Sequence, residues 1–140
     1  MSEAYVGVIR PVSKRGSAYL QTSDGTTFGH YDTGIPQLFL GGLGQLNAYV
    51  TNELRTNQYR LARVGYIYEL FSLPPLIGHK TYFTSAYEVV QAQRAPAASK
   101  LPKDGSLGLV AETLLGPLFV GGSVGDSGHR RVCLDLGRFF

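Results

Sequence analysis

The sequence predicts an all-β chain: one antiparallel up-and-down meander of about seven strands, spanning residues 1–140 as a single segment. Three observations predict it. The chain has 18 Gly and 9 Tyr against 1 Met and no Trp, a mix that suits strands and turns better than helices. Alternation with a period of two recurs along the chain, and no stretch carries the caps and 3.6-residue stripe of an amphipathic helix. Charged residues are only 16%, well below the roughly 25% of a soluble domain. No run of about eighteen apolar residues is present, so a membrane-spanning helix is not expected.

Taken in order, the strands are expected at Ala4–Val12, Gly16–Ser23, Gln58–Leu70, Lys80–Gln91, Ser106–Leu115, Pro117–Gly125 and Arg131–Phe140. The last is the clearest. Val132, Leu134, Leu136 and Phe140 share one parity, broken only by Arg138, while Arg131, Cys133, Asp135, Gly137 and Phe139 share the other. That strand is long enough to cross a bilayer core if tilted. The connections alternate in length. Ser13–Gly16, Leu73–His79 and the Gly116-Pro117 turn are short, whereas Asp24–Asn57 and Arg94–Gly105 are long. Membrane barrels show this pattern, with short turns on the periplasmic side and longer loops outside. A short strand within Ile35–Leu40 would give the sheet an eighth member.

Single charges lie mid-strand on the less apolar parity. Arg63 is opposed to Ala62, Val64 and Tyr66; Glu88 to Phe83, Tyr87 and Val89; Glu112 to Leu107, Leu109 and Ala111; Asp135 to Leu134 and Leu136. A charge facing lipid near the midplane costs a few kcal/mol. Arg63, Glu88, Glu112 and Asp135 are therefore expected to face a lumen, and Leu107, Leu109, Leu134 and Leu136 to face lipid. A soluble one-sided sheet alternates in the same way, so the alternative is a soluble antiparallel β-sandwich or barrel acting as a binding module, and a need for detergent separates the two readings. Tyr66, Tyr68, Tyr82, Phe83 and Tyr87 fit either an interfacial girdle or simple strand propensity.

Residues that look catalytic have poor contexts. Gly121-Gly-Ser-Val-Gly125 fits the nucleophile elbow of serine hydrolases, but that elbow needs a strand-to-helix turn, and Ser123 is expected inside a strand. Gly125-Asp-Ser-Gly128 resembles a protease segment around Ser127, yet His30 and Asp104 lack matching contexts. Its residues suit a hairpin. His30, His79 and His129 are scattered in expected loops without ligand spacing, so no metal or cofactor is expected. Cys133 is the only cysteine, which excludes an internal disulfide. The net charge of +3 is dispersed, which gives nucleic-acid binding little support.

The order of features resembles a family. A long loop carries Phe39-Leu-Gly-Gly-Leu-Gly-Gln-Leu-Asn-Ala-Tyr49. A strand containing Tyr66-Ile-Tyr-Glu69 follows, then a Gly-Pro turn, a Gly-rich strand, Gly125-Asp-Ser-Gly-His-Arg-Arg131 and a final Leu136-Gly-Arg-Phe-Phe140. This resembles the C-terminal part of the bacterial surface antigen barrels, the superfamily of the outer-membrane insertion factor and the two-partner secretion transporters. The likeness is greatest to the barrel of patatin-like phospholipases of the type V secretion class. The resemblance implies an open partial segment of a sixteen-stranded outer-membrane barrel, non-catalytic by itself, serving as a membrane anchor or translocator. Any patatin lipase domain would lie upstream. Asp24–Asn57 would be the lumen-directed loop, with Gly41, Gly42, Leu46, Asn47 and Tyr49 at its motif. Family members place an Arg-Gly-Tyr (or Phe) tripeptide there, and here Asn47-Ala48-Tyr49 stands instead. The expected contact of Asn47 with Glu88 is weaker than that of a charged Arg, with Tyr49 close to Glu88. Leu134, Leu136, Gly137, Phe139 and Phe140 would form the C-terminal signal read by the barrel assembly machinery.

The start, Met1–Arg10, lacks the basic region, apolar run and cleavage site of a signal peptide. The chain is expected to be the back part of a longer protein. The remaining partners would be outer-membrane lipid and the missing N-terminal barrel strands. About seven strands fall short of the smallest membrane barrels. The strands that contain Ala4 and Phe140 are therefore expected to be the two edges of an open sheet.

Overall fold

A computed structural model describes residues 2–27, 38–42, 45–76, 78–93 and 101–137. Its strands are β1 Ser2–Pro11, β2 Gly16–Thr26, β3 Leu38–Leu40, β4 Leu54–Thr56, β5 Gln58–Ser72, β6 Gly78–Gln93, β7 Lys103–Thr113, β8 Gly116–Gly125 and β9 Arg130–Leu136. Seven of them form one antiparallel sheet in the order β1-β2-β5-β6-β7-β8-β9. Among the described residues β1 and β9 do not pair with each other, so they are the two edges.

Turn chemistry sets the short connections. Val12 and Ser13 donate their N–H groups to the Gly16 carbonyl at 2.9 and 3.0 Å, which closes the β1–β2 hairpin. Between β7 and β8 the turn is Leu114-Leu115 rather than Gly116-Pro117, because Thr113 and Gly116 already pair. Gly116 has φ +115°, a conformation that glycine adopts without a Cβ penalty. A bulge between Glu69 and Phe71 absorbs one extra residue in β5, a common device near a sheet rim. A single 3-10 turn, Asp126–Gly128, joins β8 to β9.

Several boundaries differ from those expected. β2 runs on to Thr26, so Asp24 is a strand residue, not the start of a loop. β7 begins at Lys103, which takes Asp104 and Gly105 out of the expected loop and into the sheet. β9 stops at Leu136, and Gly137 has φ +132°. Phe139 and Phe140 lie outside the described residues, as do Arg138, His30 and 35–37 of the expected eighth strand. Leu38–Leu40 does not join the main sheet but pairs with Leu54–Thr56 inside the long connection.

Ladder register gives the sheet two distinct faces. One row runs Gln21, Arg63, Glu88, Asp104, Gly125 on β2, β5, β6, β7 and β8. Directly paired residues point to the same side, so Arg63, Glu88 and Asp104 share a face. Glu112 shares the face of Asp104 on β7, and Asp135 pairs with Phe119 on that same face. Leu107, Leu109, Leu134 and Leu136 take the opposite face. The connection from β2 to β5 folds over the charged face. Its Leu38, Leu40, Leu46, Tyr49 and Leu54 pack with Tyr59, Leu61 and Val90 of the sheet into the buried core. Each such side chain contributes about 1.5–3 kcal/mol on burial.

Candidate functional site

The centre of the molecule is where the long connection meets the charged row. Glu88 is fully buried at 0% exposure, and Asp104 is buried beside it on the next strand. The Arg63 Nε lies 2.8 Å from Glu88 Oε1, and its guanidinium rests 5.8 Å from the Tyr19 ring centroid. Two acids thus share one arginine. The remaining compensation comes from the loop backbone. Leu46 N–H donates to Glu88 Oε2, and Ala48 N–H donates to Asp104 Oδ2 at 2.6 Å. Hydrogen bonds to an ionised carboxylate are stronger than neutral ones, and buried charges need such partners to persist.

Local backbone shape makes these contacts possible. Gly41 and Gly42 have φ of +116° and +108°. A Cβ on Gly41 would lie 2.3 Å from the Val50 carbonyl, so the loop can close only with glycine there. Leu46 adopts φ +58°, which costs about 1–3 kcal/mol for a non-glycine residue. That conformation accompanies the Glu88 contact made by its own N–H. On the sheet, a Cβ at Gly125 would meet the Ala48 Cβ at 3.0 Å. The Gly-rich stretch of β8 therefore lets the loop approach.

A second cluster holds the outer end of the loop. The Tyr49 hydroxyl donates to Asp126 Oδ1, and its carbonyl accepts from Arg131 Nη1 at 2.9 Å. The His129 ring stacks on Tyr49 with centroids 4.3 Å apart. His129 Nε2 lies 3.0 Å from Glu53 Oε1, and Nδ1 lies 2.8 Å from the Asp126 carbonyl oxygen. Hydrogen bonding to that carbonyl raises the His129 pKa above its ordinary 6.5; partial burial opposes the rise and the Glu53 carboxylate adds to it.

The expected motif residues are therefore brought together, and two of their side chains also bond to neighbouring elements. Asn47 Nδ2 donates to Ser106 Oγ at 2.9 Å. The Tyr49 hydroxyl donates to Asp126 and its ring stacks on His129 at the hairpin. The reason is geometric: the alternate N–H groups of Leu46 and Ala48 point at the two acids, and the side chains of Asn47 and Tyr49 are directed to β7 and the β8–β9 hairpin. Glu112 accepts from the Tyr82 hydroxyl at 3.2 Å near the short-turn end, away from the loop motif. Asp135 is exposed. Asp104, Ser106, Asp126, Glu53, His129 and Arg131 belong to the anchor and were not expected in it. Asp104 shares the parity of Glu112, and a strand drawn two residues longer would have found it.

Ser123 is buried within β8, paired to Ser106 and Arg131. It stands in a continuous strand and not in a strand-to-helix turn. Cys133 lies on the charged face beside Gly121 and is partly exposed. Among the described residues no group of three His, Cys, Asp or Glu side chains is placed to hold a metal ion. Comparison with protein-family models, with curated proteins and with solved structures finds no match.

Proposed function

We propose that this chain is an arc of an outer-membrane β-barrel. In this reading the loop-covered face lines the lumen and the opposite face meets lipid, and the chain anchors or translocates a partner and does no chemistry itself. One observation carries the reading. Among the described residues, the uncovered face is free of Asp, Glu, Lys and Arg between a charged rim at each end. The rim at the loop end is Asp24, Arg60, Lys103 and Arg130, and at the short-turn end it is Arg10. Between them stand Val6, Val8, Leu20, Val64, Tyr68, Tyr87, Leu107, Leu109, Val120, Leu134 and Leu136, each at least 37% exposed. Monomeric soluble proteins rarely expose so large a contiguous apolar surface.

The dimensions support the same reading. The ten steps from Lys103 to Thr113 rise about 33 Å along the strand at about 3.3 Å each. At a tilt of about 40° that is about 25 Å along the membrane normal, the height of a barrel's apolar band. The register supplies the tilt. One ladder row joins Pro11, Ser17, Ile67, Thr84, Gly108, Gly121 and Cys133. It leaves β1 at its turn yet reaches β7 five residues before Thr113, where the next turn begins. A shift of about five residues over about four strands is a slope of about 40°.

In lipid, unpaired groups on the β1 and β9 edges cost several kcal/mol each, so the reading requires further strands to close the ring. The test is placement in a bilayer. With Cys133→Ser as background, a fluorescent label on Leu109→Cys should be quenched by lipids brominated in their acyl chains, and one on Glu112→Cys should not. The folded protein should need detergent and migrate differently on a gel when heated. Equal quenching at both sites, or a monomer in plain buffer, overturns the reading and favours a soluble binding module.

A further inference from the structure

We propose that the loop-end rim of the uncovered face binds the phosphate groups of a lipid headgroup through Arg60, Lys103 and Arg130. The inference rests on the membrane reading above and assigns that surface a ligand. Three features of placement carry it. First, all three cations project from the face that holds the apolar band, and all three are exposed. Second, they fall on a line that follows the slope of the sheet. Arg60 pairs with Gln91, and Lys103 pairs with Val89, two residues nearer the short turns and two strands further on. Gly105 pairs with Val124, which pairs with Arg130, again two residues and two strands on. One residue per strand is about 3.3 Å over about 4.8 Å, a slope of about 35°, within the range of barrel strand tilts. The three side chains therefore stand at one depth, where the apolar band ends.

Third, the charges along this line are unbalanced. Arg60 is paired with Asp24 at 2.6 Å, and among the described residues Lys103 and Arg130 form no ion pair. A net of two positive charges remains at the level of the headgroups. Basic side chains at a membrane surface attract anionic lipid, and both Arg and Lys match phosphate oxygens as donors. A protein or nucleic-acid partner would have to reach this rim past the bilayer that the same face is proposed to contact. A lipid is already there.

The experiment uses the folded protein in nanodiscs of phosphatidylethanolamine, with and without diphosphoryl lipid A, and measures how much lipid A stays bound. Lys103→Gln and Arg130→Gln should each weaken retention about fivefold, and Lys103→Arg should leave it unchanged. Asp24→Asn frees Arg60 and should strengthen retention, an effect that misfolding cannot mimic. Equal retention by the wild type and the Lys103→Gln/Arg130→Gln double variant overturns the proposal. So does full displacement by inorganic phosphate at the same phosphate concentration, which would mark a site for the free ion. If the Leu109 label is quenched by the acyl chains while retention ignores these residues, only the lipid site fails. If that label is not quenched, the membrane reading fails and the site with it.

Discussion

The row Gln21, Arg63, Glu88, Asp104 and Gly125 and the row Ala18, Tyr66, Ser85, Leu107, Gly122 and Val132 belong to the same strands. They differ in side. The first carries three ionisable groups and is covered by the loop, and Glu88 within it has no exposure. The second carries no Asp, Glu, Lys or Arg, and Leu107 in it is 57% exposed. The usual arrangement of a folded protein is reversed: charge is buried and leucine is bare. A buried charge is tolerated when it is paired and hydrogen-bonded; here Arg63 lies against Glu88 and the loop adds the backbone N–H groups of Leu46 and Ala48. A bare leucine is tolerated when the medium is itself apolar. The contrast teaches that the loop supplies the surroundings that the charged face lacks, and in the proposed membrane setting lipid would do the same for the apolar face.

The largest effect should come from breaking the covered face. Glu88→Ala removes the carboxylate 2.8 Å from Arg63 Nε and the acceptor of Leu46 N–H, at a cost of about 3–5 kcal/mol. Protease cleavage in the connection between β2 and β5 should rise sharply, and the melting temperature should fall. Unchanged cleavage would mean that the loop is held by apolar packing of Leu38, Leu40 and Leu46 alone. On the uncovered face, Leu134→Arg should hinder insertion by about 2–4 kcal/mol if it sits near the midplane. The folded fraction in bilayers, read from gel migration, measures it. The Cys133→Ser change on the other face should leave that fraction as it was. A similar loss from both would remove the distinction between the faces.

A smaller effect sharpens the account of the loop. Asn47→Ala deletes the bond to Ser106 and should cost about 1 kcal/mol. The Ser106→Ala/Asn47→Ala double variant should cost less than the sum of the two single changes, because one bond is shared. Additive losses would mean that Asn47 acts elsewhere.

The division into faces was legible in the sequence because period-two alternation converts directly into sidedness. Arg63, Glu88, Glu112 and Asp135 fall together, and Leu107, Leu109, Leu134 and Leu136 fall opposite, as parity requires. The anchor was legible only in part. Gly41 and Gly42 announced a tight loop, but the contacts to Glu88 and Asp104 are made by backbone N–H groups, which every residue but proline possesses. No residue type signals them. Asp104 was hidden for another reason. Lys103-Asp104-Gly105 has the composition of a turn, and only pairing with Glu88 draws it into β7. Leu114-Leu115 shows the converse: two exposed leucines form a turn that composition alone assigns to a strand.

The smallest effect concerns pH and the outer end of the loop. Both ring nitrogens of His129 face acceptors, the Asp126 carbonyl at 2.8 Å and the Glu53 carboxylate at 3.0 Å. A neutral imidazole has one N–H and can satisfy only one of them. The imidazolium satisfies both, which is why the folded pKa lies above the ordinary 6.5. A group whose pKa rises on folding adds stability that is complete below its unfolded pKa. The contribution is then lost as pH climbs through the raised folded value. The contact between Glu53, Tyr49 and the β8–β9 hairpin should therefore be firmest below pH 6.5 and loosen on the alkaline side. An ion pair this accessible contributes about 0.2–1 kcal/mol, so the change should be gradual. Hydrogen exchange of the Val50 and Glu53 amides against pH measures it, since Glu53 also accepts from Val50 N–H at 2.6 Å. His129→Gln keeps a polar side chain but cannot take up the proton, and should flatten the profile. An identical pH slope in both proteins would show that His129 holds the loop by stacking on Tyr49 and not by charge.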